Sequence, residues 1–148
     1  IEDRGVLATK IYADGYHYDN LKTDGGVSGT QTTGHIVMDG KEVFKYAVNC
    51  MPQAAEDAMK EAGISADDVD WLIPHQANIR IIEGVGKKLG IADEKVIVNI
   101  ARYGNTSAAT IPIALSEKME DGTIKEGDCV VLTAMGAGFT WGAAVVRL

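Results

Sequence analysis

Two residues of this 148-residue sequence combine a reactive side-chain type with a placement that chemistry can use, His75 and Asn105. Each lies just past a short apolar run and at or before a helical pattern: Trp71 to Pro74 leads into His75, and Val96 to Ile100 leads toward Tyr103-Gly104-Asn105. Strand ends that open into helices are where α/β folds present polar side chains to a ligand, so both side chains can reach one crevice. An imidazole N–H and a carboxamide NH2 both donate hydrogen bonds. Two such donors on one oxygen suit a carbonyl that gains charge on becoming an enolate. Each residue also has a plainer reading, since a lone histidine is often a satisfied core or surface residue and Asn105 fits a helix N-cap.

Other chemistries find less support. Gly136-Ala137-Gly138 with Gly142 looks like a dinucleotide loop, but six residues remain after Gly142, too few for the helix and second strand that motif requires. Ser107 has no GxSxG elbow around it. Cys50 falls inside a helical pattern and Cys129 inside a strand pattern, away from the electropositive helix starts where thiolates form. His17 and His35 offer no metal-ligand spacing with His75, and Asp67, Asp68 and Asp70 lack the spacing of a calcium loop, so neither metal nor cofactor is expected.

The elements that position these residues follow from composition and pattern. At 46% hydrophobic content the chain can bury a core as one domain. Acidic residues outnumber basic ones 21 to 14, for a net charge of −7, which argues against a nucleic-acid surface. Two cysteines without CxxC spacing fit a reducing cytoplasm. Cys129 to Val146 carries no charged side chain, yet its three glycines and β-branched ends indicate two buried strands and a tight turn rather than a membrane span. The N-terminus Ile1-Glu2-Asp3-Arg4 lacks an initiator methionine and a signal design, so the chain is expected to be a piece of a longer product.

In order, Val6 to Ala13 reads as a strand ended by Asp14-Gly15, and residues 19 to 35 as a polar, glycine-rich loop. Apolar residues from Phe44 to Ala62 recur at helical spacing, predicting a helix over 40–62 stopped by Gly63, with a kink or break near Cys50 and Met51 caused by Pro52. Ser65 to Asp68 resembles a capping box. After the Trp71–Pro74 strand, a helix is expected over 77–89 with Ile79, Ile82, Val85 and Leu89 inward. Its opposite face, carrying Arg80, Gly84, Lys87 and Lys88, is basic. Lys87 and Lys88 also complement a helix C-terminus, which leaves Arg80 unexplained. A strand over 96–100, a helix with Ala108, Ile111, Pro112, Leu115 and Met119 inward, and a hairpin of 128–135 with 139–148 complete a mixed α/β sheet packed by helices.

Three motifs then carry a resemblance. Pro74-His75-Gln76-Ala77-Asn78-Ile79-Arg80-Ile81, Tyr103-Gly104-Asn105-Thr106-Ser107-Ala108-Ala109 and Gly136-Ala137-Gly138-Phe139-Thr140-Trp141-Gly142 occur in that order, with Met38 to Lys45 upstream. Together they resemble the C-terminal half of the β-ketoacyl-[acyl-carrier-protein] synthase III family of thiolase-like condensing enzymes, over essentially the whole chain. A His and Asn pair, where elongating condensing enzymes have two histidines, is similar to the initiating class.

The resemblance implies an α/β, thiolase-like half with a mixed five-stranded sheet, residues 1–148 forming a C-terminal domain. The N-terminal half of the same enzyme would supply the nucleophilic cysteine, so the chain alone would not condense. It implies initiation of fatty acid synthesis. An acyl group, expected to be acetyl, passes from acyl-CoA to that cysteine, and malonyl-acyl-carrier protein decarboxylates and attacks it, giving 3-oxoacyl-carrier protein and CO2. In that scheme His75 and Asn105 stabilise the enolate, and the backbone N–H of Ala137, where glycine is common, serves the oxyanion hole. Met135 stands where an aromatic gate is frequent. Met38, Gly40, Phe44 and Asn78 resemble the CoA/pantetheine tunnel. Lys45, Arg80, Lys87 and Lys88 resemble the basic rim that receives the acidic carrier protein, in agreement with the one-sided basic helix. A homodimer of the complete enzyme in the cytoplasm is implied too, as is an apolar helix face left bare without the other half. Two readings from other classes are a noncatalytic CoA or carrier-protein binding module and a structural pairing domain.

Overall fold

The computed structural model of the chain describes residues 4–148. Residues 1–3, part of the N-terminus on which the expectation of a longer product rests, lie outside the described residues. The first strand, β1 (Gly5–Ala13), ends at Asp14, whose carboxylate accepts the Tyr16 N–H and starts a short turn. The pattern did not reveal two strands here: β2 (Leu21–Thr23) lies inside the glycine-rich stretch and pairs antiparallel with β3 (Ile36–Met38) just beyond it. Three residues are too few to show a period of two.

The long helix α1 (Gly40–Ala62) matches the apolar spacing at both ends. Asp39 accepts the Lys41 and Glu42 N–H groups at 3.0 and 3.1 Å, and Gly63 closes the helix at φ 72°, a left-handed conformation that glycine adopts without a Cβ penalty. Pro52 does not break it: the helix runs on through Met51 and Pro52, both buried. Packing against β1 and the C-terminal hairpin, with Thr133 Oγ1 donating to Met51 O at 3.1 Å, holds this turn in place.

Three further strands, β4 (Trp71–Pro74), β5 (Cys129–Gly136) and β6 (Thr140–Arg147), join β1 in a mixed sheet of order β1-β6-β5-β4, with β4 and β5 parallel. On central β5 alternate residues serve two cores. Cys129 and Val131 pack with Ala47, Met51, Ala55 and Ala58 of α1 and with Val85 and Leu89 of α2 (Ile79–Leu89), whereas Val130 and Leu132 face Ala114, Ile111 and Leu115 of α4 (Thr110–Glu120). The inward side of α4 thus begins at Thr110 and Ala114, while Pro112 and Met119 face outward, contrary to the expected stripe.

The expected fifth strand is reduced. Residues 96–100 contribute one parallel bridge, Leu72 with Val96, and one bond from Ile97 N–H to Leu72 O at 2.9 Å. The cause is Gln76, fully buried, whose Nε2 donates to Pro74 O (2.8 Å) and Ile97 O (3.1 Å) and whose Oε1 accepts the Asn99 N–H (3.0 Å). A side chain takes the place of the next rungs, and the backbone turns into the single helical turn α3 (Ile100–Tyr103). Large exposed apolar side chains occur on strands, Val6 and Ile11 of β1 and Ile36 to Met38 of β3, and on helices, Phe44 of α1, Ile79 of α2, Tyr103 of α3 and Met119 of α4. Among the described residues no helix is long and apolar enough to cross a membrane.

Candidate active site

His75 follows β4 directly. Its N–H donates to Thr133 O at 2.8 Å, adding one rung to the parallel ladder and fixing where the imidazole leaves the sheet. The ring is half-buried, with Nδ1 2.6 Å from Thr110 Oγ1 in the first turn of α4. Burial holds the imidazole pKa below its ordinary value of 6.5, so the neutral ring prevails at neutral pH.

Asn105 stands between α3 and α4. Its Oδ1 accepts the Ser107 N–H at 2.9 Å, which leaves the Nδ2 end of the carboxamide to donate elsewhere. Gly104 at φ 68° and Ser107 at φ 55° turn the segment back on itself. Ser107 is a rare non-glycine residue in the left-handed region, a strained conformation of the kind that clusters at functional sites. Asn105 does not cap α4, whose first residue is Thr110; its side chain braces the preceding turn.

His75, Asn105, Ala137 and Met38 line one cavity of about 810 Å3, within the size range of small-ligand sites. Its apolar wall comes from Val43, Ala47, Met51 and Ile81, and Tyr18 and Lys22 add polar groups. A second cavity of about 710 Å3 is lined by Ile11, Tyr12, Ala13, Trp141 and Gly142. His75, Ser107, Met135 and Gly136 belong to both walls, so the imidazole sits where two approaches meet. Ala137 is not among the residues with positive φ; in this turn that conformation falls on Gly138, at φ 131°. A Cβ at residue 137 therefore costs its backbone nothing.

The remaining expected residues divide. Gly40, Phe44 and Asn78 do not line the cavity; each is next to, or two residues from, one that does, namely Val43, Ala77 and Met38. Asn78 caps α2 instead, accepting the Arg80 N–H at 2.9 Å, and the helix starts two residues later than its apolar pattern suggests. Arg80, Lys87 and Lys88 are exposed on one side of α2, and Lys45 is exposed on α1. Lys88 Nζ donates to Asn49 Oδ1 at 2.6 Å while Asn49 Nδ2 donates to Lys45 O at 2.8 Å, which brings Lys45 and Lys88 to the same α1–α2 seam.

Neither cysteine lines either cavity. Burial, with Asp14 adding to it and Lys88 opposing, pushes the Cys50 thiol upward, the reverse of what a thiolate nucleophile needs. Three contributors escaped the sequence pattern. Thr110, 3% exposed, touches the imidazole; Gln76 ties the His75 loop to Asn99, six residues before Asn105; and Lys22 lies in what read as a loop. Only Gln76 left a signal, a polar residue directly after the histidine at the end of an apolar run.

A family profile described as the C terminal of 3-oxoacyl-[acyl-carrier-protein (ACP)] synthase III matches residues 59–148, more than half of the chain. The chain is 57% identical over 147 residues to a β-ketoacyl-[acyl-carrier-protein] synthase III of Mesorhizobium japonicum, an alignment covering 99% of this chain and 46% of that protein. One from Brucella suis is 54% identical over 98% of this chain and 45% of its own length. The crystal structure of 3-oxoacyl-[acyl-carrier-protein] synthase III from Aquifex aeolicus VF5 superposes with a TM-score of 0.92 at 45% identity, over 99% of this chain and 46% of that one. The chain thus spans about half the length of the relatives it matches.

Proposed function

This chain belongs to the 3-oxoacyl-[acyl-carrier-protein] synthase III family, and from that premise we propose that it is the C-terminal half of a condensing enzyme that initiates fatty acid synthesis. The observation that carries the reading is the convergence of His75, Asn105 and Ala137 on one cavity, at the point where a second cavity meets it. A reaction that joins two acyl groups needs two approaches to one centre.

In this mechanism a malonyl thioester, delivered by acyl-carrier protein, lies in the larger cavity with its thioester oxygen facing His75 and Asn105. Cleavage of the bond to the carboxylate releases CO2 and leaves the electron pair as an enolate. Two fixed neutral donors stabilise that charge without the reorganisation that water would require. The enolate carbon attacks the carbonyl of an acyl-cysteine presented by the N-terminal half, the Ala137 N–H donates to the resulting oxyanion, and collapse expels the cysteine thiolate. Acyl-CoA supplies the first acyl group. The hydrophobic wall of Val43, Ala47, Met51 and Ile81 keeps the enolate from water. Lys45, Arg80, Lys87 and Lys88 form the local positive patch that steers an acidic carrier protein toward a molecule of negative net charge. With its thiols off the cavity, the chain by itself has no acylation site and is inactive in condensation.

The test separates the two half-reactions in the complete enzyme. Removing either donor, His75→Ala or Asn105→Ala, should slow malonyl decarboxylation on the order of 10²–10³-fold while acylation of the cysteine by acyl-CoA proceeds. Equal losses in both steps would show that neither residue serves the enolate.

A further inference from the structure

The hydroxyl of Thr110 has one proton and two neighbours able to take it, His75 Nδ1 at 2.6 Å and Ser107 O at 3.0 Å. A threonine in a helix commonly gives that proton to the carbonyl three residues back, and Ser107 O is that carbonyl. Ser107 O also accepts the backbone N–H of Thr110 itself, which occupies one of its two lone pairs. Nδ1, by contrast, has no other hydrogen-bond partner among the described residues, and it is the closer of the two. Thr110 is 3% exposed, so bulk water does not compete for the hydroxyl, and its β-branched side chain is stiff at χ1.

We propose that Thr110 is a positioning residue that gives its proton to His75 Nδ1, and so holds the neutral imidazole in the form whose hydrogen is on Nε2, facing the reacting oxygen. The alternative proton placement has a definite consequence. Were Thr110 to donate to Ser107 O, it would accept from Nδ1–H, and Nε2 would present a lone pair to a developing negative charge. Which nitrogen of a histidine carries the proton is set by the bond the other one makes, and here that bond comes from α4. The lowered pKa of the buried ring makes the tautomer matter, since a protonated ring would donate from both nitrogens.

The assignment rests on the reading of His75 as a hydrogen-bond donor to the malonyl-derived enolate, and the experiment is chosen to keep the two apart. The complete synthase labelled with 15N-histidine is examined by NMR near neutral pH, with His75→Gln used to assign the ring signals. The native enzyme should show Nδ1 as the bare nitrogen and Nε2 as the protonated one. Thr110→Val, which keeps the shape and removes the hydroxyl, should shift the ring toward the other tautomer, and Thr110→Ser should restore the native pattern; Thr110→Ala serves if the second valine methyl prevents folding. Malonyl decarboxylation should fall with Thr110→Val on the order of a hundredfold in kcat, the loss typical of one oxyanion donor, with KM and cysteine acylation unchanged and serine restoring the rate. A native ring already protonated on Nδ1, or a Thr110→Val ring that stays protonated on Nε2, overturns the proposal. If the tautomer behaves as stated while His75→Ala decarboxylates at the native rate, the Thr110 assignment stands and the enolate role falls.

Discussion

Replacing Gln76 by methionine keeps the volume of a buried side chain and deletes its three hydrogen bonds, to Pro74 O, Ile97 O and Asn99 N–H. Two of those bonds are the tether between the segment after β4, which carries His75, and the segment before α3, which leads to Asn105. At the far side Asn99 Nδ2 reaches Glu117 Oε2 at 3.2 Å, so α4 still holds that segment by a side chain, and the loss should be local rather than global. A buried N–H left without an acceptor costs about 1–3 kcal/mol, which corresponds to a roughly 5- to 150-fold increase in the opening equilibrium at that amide. Hydrogen exchange read by mass spectrometry on peptides covering residues 96–104 should accelerate by that factor, whereas peptides from β5 should keep their protection. On the proposed mechanism, decarboxylation in the complete enzyme should fall with it, because His75 and Asn105 no longer hold a common geometry, while cysteine acylation persists. Unchanged exchange at Asn99 in Gln76→Met would refute the tether and the link from it to the site.

Two further outcomes can be checked on stability alone. A Cβ added at Gly142 would lie 2.6 Å from Lys10 O and 3.1 Å from Ile11 Cγ2, so Gly142→Ala must force β1 away from β6; a loss of about 1–3 kcal/mol is expected from overpacking, and an unaltered melting curve would contradict it. Because the fold lowers the His75 pKa below 6.5, the unfolded chain binds more protons between that lowered value and 6.5, so stability rises with pH across this window and is lost as pH falls through the folded value. Urea midpoints taken over a pH series should show this slope, His75→Gln should flatten it, and an identical slope in the variant would show that burial of the ring is not its source.

Where a segment satisfies its own backbone, its pattern was enough to place it. The spacing from Phe44 to Ala62, with Gly63 after it, yields α1, and the glycines and β-branched ends of the last twenty residues yield the hairpin to within a residue or two. Pattern failed where a distant side chain took over a backbone role. Residues 96–100 have strand composition, but Gln76 occupies their ladder positions, and Asn78 spends on its cap the two residues that appeared to begin α2. His75, Asn105, Ala137 and Met38 could be named from sequence and do share a cavity. Thr110 could not, because its contact with the imidazole spans 35 residues and depends on α4 crossing the end of β4.

The parallel pairing of β4 with β5 also orders events in time. Between Pro74 and Cys129 the chain must pass through α2, α3 and α4 before the first rung can form, and the rung that fixes His75, to Thr133 O, belongs to that pairing. Long-range parallel contacts pay loop-closure entropy before they return any stabilisation, so they form late. During synthesis from the N-terminus, α1 and α2 can pack as soon as both have emerged, yet the histidine acquires its place only when the terminal hairpin has left the ribosome. A nascent chain halted before Cys129 would therefore contain every residue proposed as a donor except Ala137, and would still lack the strand that fixes His75.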